Sequence, residues 1–127
     1  MSKKRDRLNQ KGFTLIEIIS VMIIMGVVAS VSIQKFDLLS DTASQQALYS
    51  GIKELNIRES LTWTNLKISS AGYNRDEDLY PLIDTYLGDS YNWNPGPTIS
   101  GGTLHFKAHS KTLTRIASTE TSAGKWE

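Results

Sequence analysis

Between Lys11 and Lys35 the chain carries a single charge, Glu17, in a run that is otherwise apolar or uncharged. A carboxylate near the start of a membrane-length helix is costly to bury, so it calls for a cationic partner or a function. The plain alternative is an interfacial acid that reaches back to the lipid headgroups. Gly12, just ahead of it, has no side chain and lets another molecule approach the backbone closely. Elsewhere, Asp76, Glu77 and Asp78 form an acidic cluster that, with Asp84 or Asp89, offers oxygens to calcium. Their spacing matches no calcium loop, and acids at the positive end of a helix explain them better. His105 and His109 fall on one face of an expected strand, about 13 Å apart at ~3.3 Å per residue, too far to share a metal. With no cysteine there is no disulfide, thiolate site or cysteine nucleophile. No glycine-rich phosphate loop and no nucleophile beside a base is present either, so the sequence assigns no catalytic residue, no metal ligand and no cofactor.

The element that must position Glu17 is a helix. Counted from Phe13 to Ile33 the apolar stretch holds 21 residues, roughly 31 Å at ~1.5 Å per residue, against a hydrocarbon core of about 30 Å. Before it, residues 1–12 hold five Lys or Arg and one acid; the rest of the chain holds nine basic and twelve acidic residues. Clustered Lys and Arg ahead of a span stay on the cytoplasmic side, which sends the C-terminal part across the membrane. The acidic remainder argues against nucleic-acid binding, which needs clustered cations. Ala29-Ser30-Val31-Ser32 imitates a secretory cleavage site, but the apolar run is long for a signal and leaves Glu17 without a purpose.

The junction Lys11-Gly12-Phe13-Thr14-Leu15-Ile16-Glu17, with its basic leader and apolar helix, resembles the leader junction of type IV prepilins and type II secretion pseudopilins. The resemblance covers about 25 of 127 residues. It implies cleavage between Gly12 and Phe13 by a membrane peptidase, which also methylates the new amino terminus of Phe13. It further implies that Glu17 pairs with the Phe13 amine of a neighbouring subunit, so that Phe13 and Glu17 direct assembly into a helical homo-oligomeric filament. The implied partners are that prepilin peptidase/methyltransferase, an inner-membrane assembly platform and, before assembly, membrane lipid. The implied location is the bacterial inner membrane, with a cytoplasmic N-terminus, and then a periplasmic or cell-surface filament. Many relatives have a proline where Gln34 stands; without it the helix keeps a backbone donor and loses a strong cause of kinking. A surface pilin, a pseudopilin, a minor pilin-like subunit for adhesion or DNA uptake, and a non-assembling single-pass protein all remain open.

The expected organisation is a leader over 1–12, a transmembrane and assembly helix over 13–34, its amphipathic continuation over 35–70 and a small head over 71–127. The fold class is α+β, a long N-terminal helix packed on a small antiparallel sheet. Phe36, Leu39, Ala43, Ala47, Leu48, Ile52 and Leu55 trace the helical stripe, which Trp63, Leu66 and Ile68 extend. A short helix opens at Asp76 and stops at Gly88, with Leu79, Ile83 and Tyr86 or Leu87 on its apolar side. Tyr91-Asn92-Trp93-Asn94-Pro95-Gly96-Pro97 reads as a turn-rich aromatic segment over the sheet, although an aromatic patch can also bind carbohydrate or another subunit. Gly101-Gly102 opens a hairpin whose strands span Thr103 to His109 and Thr112 to Ala117, turning at Ser110-Lys111. A further strand is placed near Thr98-Ile99, and the polar tail from Ser118 to Glu127 is left unassigned.

Overall fold

The computed structural model describes residue 12 and residues 14–127; the leader up to Lys11, and Phe13, lie outside the described residues. The architecture is α+β. A 54-residue helix, α1 (Leu15–Ile68), precedes a one-turn helix α2 (Asp76–Leu79) and a 3₁₀ turn at Tyr80–Leu82. Four strands follow: β1 (Tyr91–Trp93), β2 (Gly101–Phe106), β3 (His109–Ile116) and β4 (Lys125–Trp126). They form one antiparallel sheet in the order β1-β2-β3-β4. The chain divides into two compact units, Met1–Leu39 and Ser40–Glu127.

In the first unit α1 passes through Gly26 without interruption, and also through Gln34, where a proline would have removed a backbone donor. Its apolar side chains face outward on every side. In the second unit the same helix buries one stripe, Ser44, Leu48, Gly51, Ile52, Leu55 and Glu59, at the three- and four-residue spacing of a single helix face. The expected positions Leu48, Ile52 and Leu55 are correct. Phe36, Leu39 and Ala43 are instead exposed, because Ser44 and Glu59 complete the face that meets the sheet. Ile68 is 79% exposed, and Trp63 is half-buried with its indole N–H donating to the Thr119 carbonyl at 2.9 Å.

The core joins that stripe to the inner face of the sheet: Leu48, Ile52 and Leu55 meet Leu104, Leu113 and Trp126, with Tyr91, Trp93 and Phe106 packed around them. Tyr91-Asn92-Trp93 is therefore a strand rather than only an aromatic loop over the sheet. Trp93 pairs with Leu104 and Tyr91 with Phe106, so alternate residues point inward together. Near Thr98 there is only an isolated bridge to Gly101. The hairpin turns at Lys107-Ala108, three residues earlier than the expected Ser110-Lys111, with Lys107 in the left-handed region at φ 52. Extending β3 back to His109 brings Lys111 over the Tyr49 ring and His109 to Asp41 of α1. The polar tail closes the sheet as β4. Asn56 on α1 accepts from the Trp126 N–H at 2.7 Å and donates to its carbonyl at 3.0 Å, acting as a strand would.

Gly51 makes the helix–sheet approach possible. A Cβ there would lie 2.7 Å from the Tyr91 ring, and that ring is fixed by its hydroxyl donating to the Ala47 carbonyl at 2.6 Å. Gly101 has φ +136, and a side chain there would run into the Leu113 carbonyl.

The short helix at Asp76 ends at Leu79 rather than near Gly88, since Pro81 opens the 3₁₀ turn and Ile83 is already extended. Leu79 and Ile83 are buried as expected, Leu87 is half-buried and Tyr86 is exposed. Asp76 makes no cap; the residue ahead of the helix, Arg75, makes no side-chain cap either. The Asp76 carboxylate turns inward to Arg115 on β3, taking bonds from both terminal nitrogens at 2.6 and 2.7 Å. Ser118 adds its backbone N–H at 2.9 Å and its hydroxyl at 2.6 Å. The same guanidinium bonds Glu59 through Nε and Nη2, while Trp126 Nε1 donates to Glu59 at 3.0 Å. The Tyr80 ring lies 5.0 Å from the guanidinium carbon. Burial alone would raise the Asp76 carboxyl, but bonds from Arg115 and Ser118 outweigh it and hold it at about 2, below its ordinary 3.8.

Three outcomes follow from this packing. Gly51→Ala improves helix propensity yet lowers the stability of the head by about 1–2 kcal/mol, because the Tyr91 ring must move; chemical denaturation of the detergent-solubilised chain measures it. Arg115→Met, which strands two buried carboxylates, costs about 3–5 kcal/mol by the same assay. A carboxyl held lower in the folded state favours folding wherever it is ionised in both states. The Asp76 contribution of about 2 kcal/mol is thus complete above about pH 5 and lost as pH falls from about 4 to 2. Acid titration of unfolding should show this loss, and Asp76→Asn should remove it.

Candidate functional site

Two places concentrate charge in unusual settings, and they differ in what they offer chemically. The Arg115, Glu59 and Asp76 cluster is sealed: the Arg115 and Glu59 side chains have no exposed surface. Every buried side-chain nitrogen and oxygen among the described residues has a hydrogen-bond partner. Burial works against the charged Arg115, but bonds to Asp76 and Glu59 outweigh it and hold the guanidinium charged far above neutral pH. With its donors committed and the Arg115 and Glu59 side chains unexposed, the cluster fastens α1, α2, β3 and β4 together.

The histidines give no site. Because the hairpin turns at Lys107-Ala108, His105 and His109 stand on different strands, not on one face as expected. His105 pairs across the ladder with Ser110, and His109 with Phe106. His105 Nε2 lies 3.1 Å from the Asn94 carbonyl, and His109 Nε2 lies 2.7 Å from Asp41 Oδ1. The acids after Asp76 are likewise engaged locally. Asp78 pairs with Arg75, and Arg58 bridges Glu54, the Asp84 carboxylate and the carbonyls of Asp84 and Tyr86.

The other place is the start of α1. Gly12 is exposed and outside the helix, and a Cβ built on it would meet nothing within 4 Å. Phe13, the residue to which the sequence assigns cleavage, methylation and assembly, lies outside the described residues. Thr14 stands just before the first helical residue, and its carbonyl accepts the Ile18 N–H at 3.2 Å. Its hydroxyl accepts the Glu17 N–H at 3.3 Å, and the Glu17 carboxylate accepts the Thr14 N–H at 3.3 Å. This reciprocal pair is a capping box. Its sequence signal is Thr14-Leu15-Ile16-Glu17, a Thr followed three residues later by Glu, which the charge of Glu17 alone does not reveal.

Beyond the box, the helix presents apolar surface all round. Leu15 and Ile16 are 75% and 74% exposed, and residues through Val31 and Ile33 remain more than half exposed on most sides. Ser20 and Ser32 return their hydroxyls to the carbonyls of Ile16 and Val28 at 2.7 and 2.8 Å, so neither needs water. This is the one helix among the described residues that is long and apolar enough to cross a membrane. A segment apolar on every face has no stable place in water and requires lipid or other helices around it.

Comparison with curated proteins and with solved structures found no match. The family model described as the prokaryotic N-terminal methylation motif matches residues 7–33, which include Gly12, Thr14, Glu17 and the apolar stretch. The chain thus carries the cleavage and methylation segment of type IV prepilins and pseudopilins, set at the head of an α+β fold of matching layout.

Proposed function

We propose that the chain is a membrane-anchored precursor of a structural subunit, cut between Gly12 and Phe13, methylated at Phe13 and polymerised through its apolar helix into a type IV pilus-like filament. The observation that carries this reading is the helix surface from Leu15 to Ile33, apolar and exposed on all sides, with one carboxylate at its start. Cutting before Phe13 removes the basic anchor but keeps the helix, which ordinary signal cleavage would not do. It also creates an ammonium about one turn from Glu17 in the sequence. In a low-dielectric bundle an ammonium and a carboxylate attract strongly when each finds the other, and an unpaired one is heavily penalised. A neighbouring subunit that supplies the amine therefore enters in a defined register.

In this reading the partners are further copies of the chain, the peptidase/methyltransferase, an inner-membrane assembly platform and lipid before assembly. The leader stays cytoplasmic and the head, Ser40–Glu127, lies beyond the membrane. The head acts as a folded outer module rather than an enzyme. It has a saturated core, and its net acidic charge disfavours nucleic acid. Either a surface pilus or the short filament of type II secretion suits such a subunit.

Intact-mass and N-terminal analysis of the protein from its native membrane tests the processing. The expected chain begins at Phe13 with one added methyl; a chain that keeps its leader, or begins after Ser30, overturns the reading. Glu17→Gln keeps a side-chain acceptor for Thr14 but removes the charge. It should be cut and inserted like the parent chain while the sheared or sedimentable filament fraction falls about tenfold or more. Wild-type filament yield from Glu17→Gln would refute the charge pairing.

A further inference from the structure

The groove that holds the polar tail is built as a peptide site. Its walls are α1, through Asn56 and Glu59, and the edge of β3, through Thr114 to Ile116. Thr114 exchanges both backbone bonds with Glu127, at 2.7 and 3.0 Å. From the other side Asn56 accepts the Trp126 N–H at 2.7 Å and donates to its carbonyl at 3.0 Å. Trp126 is 1% exposed, its ring centre lies 5.4 Å from that of Trp93, and its indole N–H donates to Glu59 at 3.0 Å. A Cβ on Gly124 would lie 2.8 Å from Glu59 Oε2 and 3.0 Å from the Ile116 carbonyl, so the groove selects glycine two places before the tryptophan. These contacts recognise an extended Gly-x-Trp segment, its main chain by hydrogen bonds and its alternate side chains by fit.

The segment is anchored far more firmly than the stretch that leads to it. Thr119 to Ser122 is exposed and polar, folded back on itself by the Thr119 N–H bonding the Ser122 carbonyl at 2.8 Å. Trp63 ties it to α1 through the Thr119 carbonyl at 2.9 Å. Arg115, Glu59, Asp76 and Ser118 all precede this stretch and bond one another, so the ion cluster stays joined when the tail lifts away. β4 is the last strand of the sheet, and its departure leaves β1, β2 and β3 paired. We propose that the groove between α1 and β3 accepts Gly124-Lys125-Trp126 of a second copy, so that copies held close exchange tails. An exchanged tail makes the same contacts, and the balance is therefore set by the connector and the local concentration of copies. Extended, the six residues from Thr119 to Gly124 reach about 20 Å. Membrane anchoring, as proposed above, enters only by bringing copies together.

The chain has no cysteine, which makes the exchange testable by placed thiols. Ile116 and Lys125 are partners in the β3–β4 ladder with exposed side chains, a pairing that a disulfide spans. Full chains carrying Ile116→Cys and Lys125→Cys are co-expressed and oxidised in the membrane. A mixed disulfide dimer reports the tail of one copy seated in the groove of the other, and it should exceed the dimer from either variant alone several-fold. Trp126→Ala added to the Lys125→Cys chain should abolish the mixed dimer. Added instead to the Ile116→Cys chain, it empties the acceptor groove and should raise the yield. Gly124→Val, which blocks seating but keeps the tryptophan, should give the same opposed pair of results if Trp126→Ala fails to fold. A mixed dimer no greater than the single-variant dimers overturns the exchange. Equal effects of the substitutions on donor and acceptor also overturn it, since they report proximity alone. Vesicle flotation reads anchoring separately: a chain that floats without the mixed dimer defeats the exchange alone. A chain that does not float overturns the anchoring, and the mixed dimer formed by the same variants concentrated in detergent still decides the exchange.

Discussion

The head depends on one buried cation. Arg115 lies on the inward face of β3, two residues from Leu113, in a position that strand alternation reserves for the core. Its charge is tolerable there only because Glu59 from α1 and Asp76 from α2 arrive together, with Ser118 and Trp126 supplying further donors. Helix, short helix and sheet edge are thereby tied through a single guanidinium. A leucine in that place would have packed, but it would not have specified which carboxylates must meet it. The planar donor fork does that, and it fixes the tail as well, since Trp126 reaches Glu59 only when β4 lies beside β3.

The first unit has the opposite character. Among the described residues every buried side-chain nitrogen and oxygen is hydrogen-bonded, whereas Ser20 and Ser32 return their hydroxyls to the helix and the apolar surface from Leu15 to Ile33 stays uncovered. The head closes a core within itself, and the apolar helix surface needs an environment that excludes water. Both demands are met along a continuous α1 because helical hydrogen bonding is local and the face that packs is chosen residue by residue. The capping box at Thr14 and Glu17 marks where that locality begins.

Much of this was legible in the residues. The apolar length, the lone carboxylate and the basic leader require only hydropathy and charge, and the matched motif over 7–33 covers those same residues. Leu48, Ile52 and Leu55 followed from helical spacing. The capping box is also present in the sequence as Thr14-Leu15-Ile16-Glu17, where Glu17 is an acceptor as well as a charge. The hairpin was visible but its turn was misplaced, because Lys107 adopts a left-handed conformation that its residue type does not announce.

Other features lay beyond any local reading. Asp76 reads locally as a helix-dipole residue and is a buried ion, Arg115 is buried on β3, and Ile116 beside it is exposed. The polar tail gave no strand signal, yet it pairs with β3 because Asn56, 70 residues away, bonds its backbone. The sequence by itself determined where the apolar helix lies, which residues flank its start and that Leu48, Ile52 and Leu55 of α1 meet a sheet. Those properties depend on spacing along a few turns of chain. Only the tertiary structure decided the charge cluster, the sheet order and the place of the tail. Burial of an ion becomes favourable only when partners distant in sequence converge on it, and no window of neighbouring residues contains that convergence.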